Sequence, residues 1–202
     1  MPARTRFDAS RGGGNIGAVV KIYWIRHGET FYNQANRFQG MLDVPLSERG
    51  RAQAAALAEV FPPGAIEAVV SSDLERARAT AEPLAERLGV PLVLRPGLRE
   101  RHLGRRQGQP VWPGGFSQPG DGIESGPRFR FRVHQELRWL LAQPWEAVAV
   151  VAHGGVLRMA AELVGSALRP RFGNASVTLW ERQAGATWIL HYSNASWSES
   201  RP

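Results

Sequence analysis

Two apolar runs, far apart in the chain, each end in His-Gly, and few folds accept that pattern. The first, residues 19–30, passes from Val19-Val20-Lys21-Ile22-Tyr23-Trp24-Ile25 into Arg26-His27-Gly28-Glu29-Thr30. β-Branched and aromatic residues in one run suit a strand covered on both faces, as in a parallel sheet. Gly28 permits a sharp exit and close approach of the backbone to a ligand. The second run, Ala147 to Ala152, ends in His153-Gly154-Gly155 and passes at once into a helical pattern. If both are parallel members of one sheet, both imidazoles stand at its carboxyl edge, where open α/β sheets bind ligands. A lone histidine after a strand is more often structural. Two at strand ends, one beside an arginine, point to a shared site.

The remaining segments supply the layers around such a sheet. Residues 31–46 read as a loop, and Ser47 caps a helix expected over 48–60 and stopped by Pro62-Pro63-Gly64. Residues 66–71 read as a strand, and Ser72-Asp73-Leu74-Glu75 has the form of a capping box. Leu74, Ala77, Ala81, Leu84 and Leu88 then recur at helical spacing until Gly89. Arg76 falls in the first turn of that helix, where a cation opposes the dipole by about 0.3–1 kcal/mol, so the position suits a residue that meets an anion. Residues 91–94 form a short third strand. From Gly104 to Pro127 the chain holds 11 glycines and prolines in 24 residues, a long loop expected to cover a pocket as a lid. Phe129, Val133, Leu137, Leu140 and Leu141 mark a further helix, and Val156, Met159, Ala160 and Leu163 another, closed by Gly165. A glycine-rich turn into a helix N-terminus, as at Gly154, favours a phosphate. Residues 176–181 and 186–191, about Gln183-Ala184-Gly185, predict a terminal hairpin. Residues 1–18 read as a flexible leader and 19–202 as a single domain. The expected fold class is α/β: a three-layer α/β/α sandwich around a mostly parallel sheet, with the hairpin at an edge.

Charge narrows the partners. Arginine and lysine number 25 against 18 acidic residues, for a net charge of +7, and Lys21 is the sole lysine. Guanidinium binds phosphate and carboxylate as a bidentate fork, so the bias suits small anionic ligands. Nucleic acid is the other candidate, but the one cluster of arginines with interleaved aromatics, Arg128-Phe129-Arg130-Phe131-Arg132, reads as the half-solvated face of a helix. No run approaches the ~20 apolar residues of a membrane span. The absence of cysteine excludes disulfides and thiolate zinc sites and fits a cytoplasmic location. No compact His/Asp/Glu ligand set appears, so neither a metal nor another cofactor is expected. A homodimer is left open.

Several short motifs recur in one order: Arg26-His27-Gly28-Glu29-Thr30 with Asn33, Ser71-Ser72-Asp73-Leu74-Glu75-Arg76-Ala77 with Thr80-Ala81, Leu98-Arg99-Glu100, and His153-Gly154-Gly155. Across roughly residues 20–192 this set resembles the histidine phosphatase superfamily, the clan of cofactor-dependent phosphoglycerate mutases and their phosphatase relatives. The resemblance implies that His27 attacks phosphorus and carries the phosphoryl group, with Arg26, Arg76 and His153 around the non-bridging oxygens and Glu100 as proton donor. It also implies that Asn33, Gln39, Gly40 and Gly154 contact the substrate, while Glu29 is structural or tunes the nucleophile. The competing reading of Glu100 is a loop carboxylate salt-bridged by Arg99 or Arg101. His102 is a substitute donor, and His134 and His191 are surface or packing residues.

One segment departs from the family. Many relatives show Gly-x-Trp-Glu-Gly where this chain has Gly104-Arg105-Arg106-Gln107-Gly108. If those arginines face the pocket, the substrate carries negative charge beyond the transferred phosphate. The expected function is a metal-independent phosphomonoester phosphatase acting on a small anionic phosphometabolite. Limited length for enclosing insertions weighs against a phosphoglycerate mutase. The alternatives are a mutase, a phosphatase of a phosphoglycerate-derived or ribazole phosphate, and a non-catalytic phospholigand-binding or RNA-binding module.

Overall fold

The computed structural model describes residues 20–111, 121–166, 172–184 and 187–195. The expected leader, the middle of the expected lid and part of the hairpin turn lie outside them. In chain order the elements are β1 (Val20–Arg26), α1 (Phe31–Gln34), α2 (Glu48–Ala58), β2 (Ala68–Ser71), α3 (Glu75–Leu88), β3 (Leu92–Leu94), α4 (Gly126–Leu141), β4 (Ala147–Ala152), α5 (Gly154–Leu163), β5 (Val177–Arg182) and β6 (Trp188–Ala195).

The six strands form one sheet in the order β3-β2-β4-β1-β5-β6. The first four are parallel, and the β5–β6 hairpin joins β1 antiparallel. This is the mostly parallel sheet with an edge hairpin that the apolar runs predict. Successive strand residues face opposite sides, and both sides are dry. Ile22 and Trp24 of β1 join Val148 and Val150 of β4 in the layer beneath α4 and α5. Ile25, Ala149 and Val151 join the layer beneath α2 and α3. Among the described residues no helix is long and apolar enough to cross a membrane.

Two local expectations are corrected. The capping box at Ser72 does not form: Leu74 is the N-cap of α3 and makes no side-chain cap bond. The backbone N–H of Ser72, which a box would give to Glu75, is still donated to Val151 O within the sheet, at 3.0 Å. The cap comes instead from the 31–46 segment, where Asp43 Oδ1 accepts the N–H of Glu75 at 2.7 Å. That segment also contains α1, whose capping box pairs Thr30 with Asn33. Four residues are too few for apolar periodicity to reveal.

The register of the two central strands sets the site. Arg26 lies opposite Ala152, so the next residue of each strand, His27 and His153, leaves the sheet beside its counterpart.

Candidate active site

The two imidazoles have ring centroids 5.2 Å apart, and His27 is 3% and His153 0% exposed. A carbonyl oxygen can only accept, so the 2.7 Å contact between His27 Nδ1 and Gly28 O puts the proton on Nδ1 and the lone pair on Nε2. Burial, then the fields of Arg76 and Arg26, push the His27 pKa well below the usual histidine range, against the pull of the Gly28 bond. His153 is displaced the same way by burial, then Arg76, His27, Arg26 and Arg132. Its Nε2 lies 2.9 Å from Ser72 Oγ. Both rings are therefore neutral at physiological pH.

Two guanidiniums hold the positive charge instead. Arg76 is 0% exposed, and burial lowers its pKa to about 10, with Glu100 and Asp43 opposing the shift, so it remains charged at neutral pH. It donates from Nη1 to Leu42 O at 2.7 Å and from Nη2 to Gly40 O at 2.8 Å. Arg26 donates from Nη1 to Phe172 O at 2.6 Å. The Nε atoms of both arginines, and His153 Nδ1, are buried without a hydrogen-bond partner among the described residues.

Glu100 is held by backbone. Its Oε1 accepts the N–H of Arg101 at 2.8 Å and its Oε2 that of Gly155, in the first turn of α5, at 2.9 Å. A Cβ on Gly155 would stand 2.1 Å from Glu100 Oε1, so the second glycine of the His-Gly-Gly run makes room for the carboxylate. The flanking arginines point elsewhere: Arg99 forks onto Asp73 at 2.7 and 2.5 Å, and Arg101 Nε donates to Glu124 O.

These groups open onto a cavity of about 580 Å³. Of the residues singled out in the sequence, Arg26, His27, Asn33, Gln39, Gly40, Arg76, Glu100 and Gly154 line it. His153 does not line it but packs against His27. Glu29 accepts from Ser47 Oγ and Gln34 Nε2, joining α1 to the start of α2. His102 accepts from Gly104 N within its own loop. His134 is exposed, and His191 pairs with Glu181 on the hairpin.

The departing segment does not carry its charge into the cavity. Arg105 is exposed, Arg106 pairs with Asp121 at 2.7 Å, and neither lines the wall. Gln107 is the member that acts on the site. Its Oε1 accepts Met41 N at 2.7 Å, and it packs against Gly40, whose φ of 55° and lack of Cβ allow that approach. Gln107 thus supports the turn whose carbonyls hold Arg76.

Sequence reasoning missed four residues. Arg37, Arg101 and Arg158 line the cavity from three separate segments, and no local motif announces them. The Arg158 side chain, on α5, makes no hydrogen bond or ion pair among the described residues. Asn174 lies beside His27: its Nδ2 reaches His27 O at 3.1 Å, Gly28 O at 3.2 Å and Asn33 Oδ1 at 3.2 Å. It therefore braces the same carbonyl that fixes the His27 tautomer.

The profile of the histidine phosphatase superfamily (branch 1) matches residues 22–195. A glucosyl-3-phosphoglycerate phosphatase of Mycolicibacterium vanbaalenii is 35% identical over 193 residues, 84% of this chain and 86% of that protein. A metal-independent phosphoserine phosphatase of Arabidopsis thaliana is 36% identical over 203 residues, 90% of this chain and 82% of that one. The solved structure of a mycobacterial glucosyl-3-phosphoglycerate phosphatase with VO3 superposes with a TM-score of 0.78 at 34% identity, covering 88% of this chain and 100% of its own.

Proposed function

The chain belongs to the histidine phosphatase superfamily (branch 1) and is a phosphoric monoester hydrolase, and from that premise we propose that it cleaves small phosphate esters at His27. The observation that carries this reading is the His27 Nδ1 to Gly28 O bond, made by an imidazole that burial keeps neutral.

Nε2 of His27 attacks phosphorus with its lone pair. As the N–P bond forms, the ester P–O bond breaks, and Glu100 in its carboxyl form gives its proton to the departing oxygen, which leaves as an alcohol. In the second step the Glu100 carboxylate takes a proton from a water molecule as the water oxygen attacks phosphorus. The P–N bond breaks, its electron pair returns to Nε2, and inorganic phosphate departs. Ester and water become alcohol and phosphate.

Arg26 and Arg76 meet the charge spread over the equatorial oxygens of the loose transition state, the role a metal ion plays in other phosphoryl-transfer enzymes. Their Nε–H groups are the free donors for this purpose. With Ser72 donating to its Nε2, His153 carries its proton on Nδ1 and adds a third donor. Gly154, at the N-terminus of α5, supports an oxygen by backbone and dipole. Asn33, Gln39 and Gly40 complete the phosphate contacts.

The substrate is a phosphomonoester of a small acid. Arg37, Arg101 and Arg158 on the cavity wall favour a second negative group, and glucosyl-3-phosphoglycerate and phosphoserine, named by the relatives, each carry a carboxylate near the phosphate. A chain without cysteine suits a reducing compartment such as the cytoplasm.

Hydrolysis of p-nitrophenyl phosphate in chelator-containing buffer, wild type beside His27→Ala, tests the nucleophile and metal independence together. Turnover in wild type and loss in the variant is expected. Turnover in both would overturn the assignment of His27. In a panel, kcat/KM is expected to rise from neutral-alcohol phosphates to phosphoserine or glucosyl-3-phosphoglycerate, and a flat ranking would overturn the acid reading.

A further inference from the structure

The Arg128–Arg132 stretch reads from sequence as a half-solvated face, and Phe131, at 65% exposed, fits that. Phe129 does not; it is 4% exposed and part of the core. Arg132 does not either. It turns away from solvent toward the segment that carries Glu100, with its guanidinium 5.0 Å over the Phe129 ring.

Every N–H of that guanidinium has an acceptor. Nε and Nη2 fork onto the Glu124 carboxylate at 3.1 and 2.7 Å. Nη1 donates to Gly97 O at 2.8 Å and to Arg99 O at 2.7 Å, and Nη2 also reaches Glu100 O at 3.4 Å. Arg99 O belongs to the peptide before the Glu100 α-carbon and Glu100 O to the peptide after it. One planar group therefore holds both peptide planes that define the backbone torsions of Glu100. Glu124, 7% exposed at its side chain, fixes the guanidinium in turn and accepts His102 N, which closes the loop around the acid.

We propose that Arg132 is the positioning residue of the proton donor, holding Glu100 over the cavity through the carbonyls of Gly97, Arg99 and Glu100. The proposal rests on the reading of Glu100 as the acid. The carboxylate is held at its tip by Gly155 N and Arg101 N, and at its root by Arg132. Only the combination leaves it one position. General acid catalysis falls steeply with misplacement of the donor, and lysine cannot replace the fork because it offers a single point of attachment to a set of acceptors spread along the chain.

The test is kcat/KM for wild type, Arg132→Lys, Arg132→Met, Glu100→Gln and Glu100→Gln/Arg132→Met on two substrates. kcat/KM reports transfer to His27, in which p-nitrophenolate leaves with little help and an alkoxide, as from β-glycerophosphate, needs a proton. Glu100→Gln is expected to lose roughly 10²-fold or more on the alkyl ester and far less on the aryl ester. Both Arg132 variants are expected to lose about 10- to 100-fold on the alkyl ester and only a few-fold on the aryl ester, and the double variant should lose no more than Glu100→Gln alone. Equal losses of an Arg132 variant on both esters, or full additivity in the double variant, would overturn the positioning role. If Glu100→Gln itself shows no selective loss on the alkyl ester, the assignment of the acid fails instead. Arg132→Lys retains the charge and most of the buried stem, so it keeps the test decisive if Arg132→Met does not fold.

Discussion

The paired buried histidines make stability depend on pH in a way that can be calculated. In the unfolded chain each has a pKa near 6.5, whereas in the fold burial and the two arginines depress both well below that value. Depressed folded pKa values mean that the unfolded state binds more protons in mild acid. Stability is therefore complete above the unfolded pKa and is lost as pH falls from about 6.5 toward the folded pKa values. Each imidazole contributes a limiting slope of about 1.4 kcal/mol per pH unit. Between about pH 7 and about pH 5.5 the unfolded chain takes up protons that the folded rings resist, so the pair costs stability on the order of 1–3 kcal/mol. Urea unfolding in phosphate-free buffer at the two pH values, wild type against His27→Asn/His153→Asn, isolates this quantity, because every other titrating group is common to both proteins. The double variant is expected to lose less than wild type over the interval, by an amount on the order of 1–3 kcal/mol. Parallel pH dependences would refute the reasoning. They would mean that the rings titrate alike in both states, and that His27 is protonated, without its lone pair, in mild acid.

Two substitutions probe how the site is held. Gly155→Ala puts a methyl group 2.1 Å from Glu100 Oε1, so the carboxylate must move; kcat/KM on an alkyl phosphate is expected to fall by about 10²-fold while the thermal midpoint changes little. An unchanged rate would mean that the acid tolerates displacement. Arg76→Lys keeps a cation but cannot serve both Leu42 O and Gly40 O; unfolding free energy is expected to drop by about 1–3 kcal/mol and kcat/KM by about 10²-fold or more. Retention of both in kinetics and denaturant titrations would show that charge alone is sufficient there.

Much of the fold is legible because its strands are buried on both faces. An unbroken apolar run such as Ala147–Ala152 admits few alternatives, and the turn residue Gly89, at φ 64°, closes α3 where its stripe of apolar residues ends. The capping box at Ser72 misleads because local pattern competes with the sheet. The Ser72 N–H belongs to the ladder with β4, and its hydroxyl lies against His153 Nε2 and accepts the N–H of Leu74 ahead of the first turn, so the reciprocal box with Glu75 cannot close. Helix α1 is hidden by its length, and its cap pair, Thr30 and Asn33, looks like any polar loop.

The site divides along the same line. Arg26, His27, His153 and Gly154 are readable because two neighbouring parallel strands must end side by side, so chemistry written at both tips converges by geometry alone. Groups that hold this chemistry in place have no such signature. Gln107 supports the turn under Arg76 by accepting the Met41 N–H, while Asn174 braces Gly28 O and Arg132 grips the Glu100 backbone through carbonyls, each across a large separation in sequence and each through main-chain groups that no residue pattern records. The arginines of the departing segment carry the opposite lesson. A local excess of positive charge suggests contact with an anion, yet Arg106 is spent on Asp121 and Arg105 faces solvent, while the cavity draws its outer charge from Arg37, Arg101 and Arg158. Where a charge acts is decided by which acceptors the fold has already brought within its reach. A change of substrate preference in this scaffold is therefore expected to follow substitutions at Arg37, Arg101 and Arg158 rather than at Arg105 and Arg106.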